Sequence, residues 1–412
     1  MKTDQQSPPW DKLRGLFHPG NGVMPPHLAG RDKEQSVMDD FLFALQNKRP
    51  ADKDIVIYGP RGNGKTVFLA RYEEKVAKSL EEDSVLSLRP GDIDSKEKLV
   101  LHLIERDSSL WETLKDKLPS KMAIAGKILE TTSARLEVEW NKLSQQERVH
   151  KAQLLLGDSL IERCRKKPLL VTIDEAQTLN PDVGKYLLNL SEQVRKNGAP
   201  FQLILAGTPD LESRINRMDA TFWSRARIMG FGRLTRQATT DAIVIPLLDN
   251  GFDFVPEASQ FVTNDTQQYP YFIQLWGESL CNAIRRNKTG RVIDTKLVES
   301  AFEDYDSQRR VYYRTRYSEM VEESLLDAAV DVARAFGGGQ ALSEQELAGV
   351  VDNETKQRLR SLGYIWQDPL STRYEPGIPS LMDYVLTERQ NRREDRHYKP
   401  PPKTDETSLP QP

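Results

Sequence analysis

The apolar pattern changes character along the 412 residues. Between about 54 and 231, short unbroken apolar runs alternate with stretches whose apolar residues recur every three or four positions. Ile55–Val56–Ile57–Tyr58, rich in β-branched residues, reads as a buried parallel strand, and Val85–Leu86–Ser87–Leu88, Pro168–Leu169–Leu170–Val171–Thr172–Ile173–Asp174–Glu175 and Gln202–Leu203–Ile204–Leu205–Ala206–Gly207–Thr208–Pro209 read as further strands. Arg227–Ile228–Met229–Gly230–Phe231 reads as a fifth, shorter one. A helix with Val37, Met38, Phe41, Leu42 and Leu45 at 3.6-residue spacing precedes the first strand, and others are expected at about 181–197 and up to Met218. This alternation predicts an α/β three-layer sandwich, a parallel sheet with helices on both faces. Residues 96–165 are too long for one crossover and imply a helical insertion at about 107–146, either plain packing helices or a partner contact.

From Thr235 the pattern is all-helical: about 235–249, 256–265, 270–286, 294–307 and 318–336, ending at Gly337–Gly338–Gly339. Ser343 and Glu346 form a capping box, and Asp352 or Asn353 caps the next helix. Tyr364–Ile365–Trp366 and Arg373–Tyr374–Glu375 read as short strands around a Pro/Ser turn. Helix, helix, helix, hairpin is the winged-helix order. The expected organisation is an extended segment 1–24, an α/β core 25–234, an all-α lid and connector 235–317, a winged-helix domain 318–388 and a disordered, charged then proline-rich tail 389–412.

Composition removes several classes of function. Lys and Arg total 58 against 61 Asp and Glu, a net charge of -3, so any nucleic-acid or anionic surface must be local. Cys164 and Cys281 lie far apart, the five histidines are scattered, and neither set has metal-ligand spacing. No apolar stretch reaches membrane-spanning length and Met1–Trp10 lacks a signal-peptide core, so a cytoplasmic protein without membrane contact is expected.

The chemistry concentrates at Gly59–Pro60–Arg61–Gly62–Asn63–Gly64–Lys65–Thr66, which fits G-x-x-x-x-G-K-[ST] between a strand and a helix beginning at Val67. Glycines let successive backbone N–H groups point at phosphate oxygens, and the helix N-terminus adds partial positive charge. Lys65 supplies a point charge for the β- and γ-phosphates, and the Thr66 hydroxyl suits Mg²⁺. Asp174 and Glu175 end a strand of the same sheet: Asp174 can hold the metal through water, and Glu175 can orient and deprotonate an attacking water.

Weaker candidates have two readings each. Thr208 either faces the γ-phosphate or the water, or merely starts a turn. Arg225, ahead of Arg227, either reaches a neighbouring subunit's γ-phosphate or makes a surface salt bridge. Arg309, Arg310, Arg314 and Arg316, interleaved with Tyr312, Tyr313 and Tyr317, suit base stacking or an amphipathic connecting helix. Lys356, Arg358 and Arg360 suit a DNA-recognition helix or a protein-docking module.

Taken in order, these motifs resemble the AAA+ superfamily, in the branch of origin-recognition-type initiators, archaeal-type ATPases and STAND signalling NTPases. Leu28–Ala29–Gly30–Arg31 looks like the adenine-side motif, Gly59–Thr66 like Walker A, Ile173–Asp174–Glu175 like Walker B, Ala206–Gly207–Thr208–Pro209 like sensor 1, and Ser224–Arg225 like the arginine-finger station. The resemblance covers about residues 25–388 and implies ATP and Mg²⁺ as ligands, with Gly30, Arg31, Val67 and Pro270 beside the nucleotide. The sequence departs from the family at Gln267–Gln268–Tyr269–Pro270, where many members carry a lid arginine. Two functions follow: an ATP hydrolase coupling nucleotide state to lid and winged-helix orientation, and thereby to DNA or a protein partner, or a nucleotide-gated STAND-like switch with little turnover. Both admit a homo-oligomer. A small-molecule kinase would need an acceptor site and lid arginines that the sequence does not display.

Overall fold

The computed structural model describes residues 9–20, 22–117, 145–288, 290–337, 340–369 and 371–397. Five parallel strands, β1 (Ile55–Tyr58), β2 (Val85–Leu88), β3 (Leu169–Ile173), β4 (Phe201–Gly207) and β5 (Arg227–Gly230), lie in the order β2-β3-β4-β1-β5. Every residue of β1, β3 and β4 is buried, as their unbroken apolar runs require. Alternation within β1 divides the core. Ile55 and Ile57 face the helices Asp32–Gln46 and Lys65–Ser79, whereas Val56 and Tyr58 face the helices Lys96–Arg106, Gln145–Lys166 and Pro181–Lys196. Ile55 pairs with Ile204 and Arg227, so β1 lies between β4 and β5 and the loop after it opens at the carboxyl end of the sheet.

The region expected as an insertion begins with two helices, Lys96–Arg106 and Ser108–Lys117, that pack on the long helix Gln145–Lys166. Residues 118–144 lie outside the described residues. Buried Arg163 pairs with buried Asp107 at 2.5 Å and donates to the carbonyls of Lys167, Pro168 and Asp83, tying this layer to the edge of the sheet.

A second core joins the helices Arg236–Asp249, Pro256–Asp265, Pro270–Asn287 and Thr295–Glu322 to the C-terminal elements. Two expectations change here. The helical region is not purely α, because β6 (Asp253–Phe254) and β7 (Val292–Ile293) form a short parallel ladder. The positive φ of Gly251, 83°, turns the chain into it. The last helix of the region also runs unbroken across residue 317 to Glu322, with Tyr313, Tyr317 and Met320 on its buried face.

The C-terminal region holds the helices Leu326–Phe336, Glu344–Ala348 and Asn353–Ser361 around a three-stranded sheet, β8 (Leu342–Ser343), β10 (Arg373–Pro376) and β9 (Ile365–Trp366) in that order. Ser343 and Glu346 make a full capping box, and Asp352 caps Asn353–Ser361. Helix Pro379–His397 overruns the expected tail start at 389; residues 398–412 lie outside the described residues. The N-terminal segment, expected to be extended, forms a 3-10 turn at Pro9–Leu13 whose Leu13, with Phe17, is buried in the second core. Gly277 has no side chain because Phe17 fills the space; a Cβ would lie 2.3 Å from the Phe17 ring. Among the described residues no helix is long and apolar enough to cross a membrane.

Phe17→Ala should therefore destabilise the fold by about 3–5 kcal/mol, the cost of deleting a buried ring, measured by urea unfolding; an unchanged midpoint would place the N-terminal segment outside the cooperative core.

Candidate nucleotide site

The loop from β1 into helix Lys65–Ser79 is shaped by what lies against it. Gly62 and Gly64 take φ of 79° and 81°, the left-handed region where glycine is least strained. Gly59 lies against the chain leaving β5: a Cβ there would come 2.3 Å from the Phe231 carbonyl oxygen. That same carbonyl accepts from the Asn63 amide at 2.8 Å, and the Gly232 carbonyl accepts from Arg31 at 2.5 Å. The Arg31 guanidinium lies 4.5 Å over the Phe231 ring, which meets Phe68 edge-on. Both ends of the loop and Arg31 thus converge on Phe231 and the residue after it.

Lys65 is 6% exposed, and its ammonium donates to the carbonyls of Gly59 and Pro60 at 2.8 Å each. Burial pushes its pKa down to about 8, against the opposing pull of Glu175 and Asp174. The Thr66 hydroxyl donates to Asp174 at 2.7 Å, and the other Asp174 oxygen accepts the Glu175 N–H at 2.9 Å. Among the described residues there is no cluster of three His, Cys, Asp or Glu side chains able to hold a metal. One hydroxyl and one carboxylate suit Mg²⁺ instead, a cation that keeps waters and takes its remaining ligands from phosphates.

Glu175 has φ 51° and ψ 35°, left-handed for a side-chain-bearing residue. Its carboxylate accepts from the Gln177 side-chain Nε2 at 2.5 Å, and Oε1 of the same side chain accepts the Thr208 N–H at 3.2 Å. Gly207 leaves room for this bridge, since a Cβ there would meet Gln177 at 2.4 Å.

A cleft of ≈580 Å³ opens over this machinery. Arg31, Glu175, Pro270, Val67 and the loop residues Arg61, Gly62, Asn63, Gly64, Lys65 and Thr66 line it. Gly30, Gly59, Pro60, Asp174, Thr208 and Arg225 are not on its wall. Gly30 instead packs toward Ala238 of the first helix of the second core. The Thr208 hydroxyl donates to Asp210. Arg225 is braced by Glu192 at 2.6 Å and Asp219 at 2.7 Å. Lys356, Arg358 and Arg360 are paired with Glu344, Glu323 and Glu212 respectively.

Several contributors escape the motif reading. Gln177, two residues beyond Glu175, signals itself only by that spacing. His18 and Val23 bring the N-terminal segment onto the cleft, and Tyr312 and Arg316 reach it from the long helix. Tyr271 stacks on Tyr312 with centroids 4.9 Å apart, and the Tyr269 hydroxyl donates to the Arg61 carbonyl. Tyr312 and Arg316 lie some 250 residues from Lys65 in the chain, so no local signal could place them there.

A parallel sheet with a glycine-rich loop feeding a helix N-terminus, and a carboxylate pair just after the third strand, has the fold of a P-loop NTPase. Residues 51–215 match the AAA domain family. The fold is shared with the Walker-type ATPase of Pyrococcus abyssi (TM-score 0.53, 14% identity, 88% of this chain and 97% of that one). It is shared too with the ORC2 protein of Aeropyrum pernix in ADPNP–ADP complexes (TM-score 0.51, 13% identity, 92% and 100%). No curated protein matches the sequence significantly.

Lys65 gives a pH signature. The protonated ammonium is the form that meets a polyanion, so nucleotide affinity should fall as pH rises through about 8, with proton uptake on binding above it. Its effect on stability has the opposite sign: the depressed pKa penalises folding below about 8, and the penalty fades as pH rises toward the ordinary lysine value of 10.5. Calorimetric titrations in buffers of different ionisation enthalpy check this; binding heats above pH 8 that do not change with the buffer would show that no proton is taken up.

Proposed function

We propose that the chain hydrolyses ATP, and that the nucleotide state sets how the second helical core and the C-terminal region sit on the sheet domain. The observation that carries this reading is the convergence of Lys65, Thr66 and Glu175 on one cleft, with Thr66 joined to Asp174. The backbone of residues 61–66 and the Lys65 ammonium hold the β- and γ-phosphates. Thr66 and Asp174 would hold Mg²⁺, which neutralises charge on those phosphates when bound. Glu175 takes the proton of a water as its oxygen attacks the γ-phosphorus; the bond to the bridging oxygen breaks and ADP leaves with the electron pair. Gln177 positions the Glu175 carboxylate against the end of β4.

The C-terminal region supplies a route for coupling, and its helix and strand order supports the winged-helix reading. Trp366 packs on Tyr58 at the end of β1 with centroids 5.4 Å apart, and Gly363 lies against Pro60 of the loop. Arg233–Glu375 and Arg360–Glu212 bridge the same contact. Contact with DNA by Lys356, Arg358 and Arg360 would require these internal pairs to open, which makes exposure of that helix the regulated event. In a homo-oligomer, Arg225 would likewise have to leave Glu192 and Asp219 to reach a neighbour's phosphate. A second reading, a switch with little turnover, is favoured by the close approach of Gly363 to Pro60 and by Pro270 where an arginine is expected. It predicts nucleotide-dependent assembly without matching phosphate release.

Phosphate release by the purified chain, with and without DNA, separates the readings. Glu175→Gln should lower release by at least about 100-fold while keeping ATP bound, and Gln177→Ala should lower kcat with little change in KM. A Glu175→Gln protein as active as the parent would overturn hydrolysis by this residue. Sizing the Glu175→Gln form with DNA, in the presence of ATP or ADP, reports the coupling.

A further inference from the structure

Arg316 lies in the cleft without a role in the mechanism above. Its side chain is 14% exposed, and its guanidinium lies 5.2 Å over the Tyr312 ring. It donates to both carboxylate oxygens of Glu319, at 3.0 and 2.7 Å. A pair one turn apart on a helix is weak, and a more highly charged anion can replace it.

Two tyrosines link Arg316 to the glycine-rich loop at Arg61. The Tyr312 hydroxyl lies 3.3 Å from that of Tyr269, whose own hydroxyl donates to the Arg61 carbonyl. Arg316 also lines a second cavity of ≈230 Å³, shared with Arg61, Glu319, Glu322 and Glu323. It therefore stands between a cationic loop built for phosphate and a bank of carboxylates. Glu323 in that bank holds Arg358 of the C-terminal helix Asn353–Ser361, through its carboxylate at 2.7 Å and its backbone carbonyl.

We propose that Arg316 is the ligand which the long helix offers to the terminal phosphate of a nucleoside triphosphate, and that it exchanges Glu319 for that phosphate. The exchange frees one carboxylate beside Glu323, so the third phosphate is read at the turn that holds Arg358. A diphosphate lacks the group that competes with Glu319, and the pair stays closed. The inference rests on the nucleotide-site reading of the cleft. It adds a phosphate ligand from outside the loop, on an element continuous with the C-terminal region.

Binding of ADP and of a non-hydrolysable ATP analogue with Mg²⁺, measured by calorimetry on the full chain, tests it. Arg316→Ala should weaken the triphosphate analogue about tenfold, about 1.4 kcal/mol, and leave ADP within about twofold. Arg316→Lys should recover part of the loss. Glu319→Gln removes the competing anion and should tighten the analogue without changing ADP. Equal losses for both nucleotides in Arg316→Ala, or an unchanged preference in both Arg316→Ala and Glu319→Gln, would overturn the exchange. A parent chain that binds neither nucleotide would instead overturn the reading of the cleft, and Lys65→Ala, expected to lose both ligands, marks that failure. Thermal melting of each variant identifies one that does not fold, and Glu319→Gln, at a part-exposed position, keeps the test open in that case.

Discussion

The carbonyl of Phe231 is the point on which the nucleotide loop depends. It closes on Gly59 so tightly that no side chain fits there, and it accepts the Asn63 amide from the other end of the loop. The next carbonyl holds Arg31. A loop of glycines has many conformations available, and its entropy opposes order. Tethering it at both ends to the chain leaving an adjacent strand removes most of that freedom before any ligand arrives. β5 therefore does more than extend the sheet, since its exit sets the geometry of the loop after β1.

A second set of contacts closes the site from above. Tyr269, Tyr271 and Tyr312 meet over Gly62 and Arg61, and the N-terminal segment crosses beside them with Phe17 buried on Gly277. Rings give large, stiff contacts, whereas the ion pairs Arg233–Glu375 and Arg360–Glu212 on the C-terminal side are partly exposed and individually weak. A stiff aromatic roof on one side of the loop thus faces a polar, separable contact on the other. The packing of Trp366 on Tyr58 places that contact at the end of the strand that feeds the loop.

The parts of this architecture legible in the sequence were those whose cause is local. Four-residue apolar runs bounded by polar turns located β1 and β2, and the capping box located helix Glu344–Ala348. Glycine spacing located the loop, and an acidic pair at the end of an apolar run located Asp174 and Glu175. Local pattern failed where distant packing decided the outcome. Pro9–Leu13 looked extended because its polar and proline content hides two residues, Leu13 and Phe17, that a distant helix buries. The β6–β7 ladder escaped notice because two residues per strand carry no period. The helix ending at His397 was read as tail from 389 onward because a charged helix face and a disordered segment have similar composition.

By itself, the sequence determined the sheet, the phosphate loop, the carboxylate pair and the order of the regions. Each of these is written in residues close together in the chain, where backbone geometry and side-chain period act directly. Only the tertiary structure decided which side chains the cleft receives from elsewhere. It chose Gln177 to hold Glu175, brought Tyr312 and Arg316 to the cleft, and paired Lys356, Arg358 and Arg360 internally. Those choices depend on how helices pack against the sheet, a sum of many small contacts spread over hundreds of residues. No short stretch of sequence carries that sum.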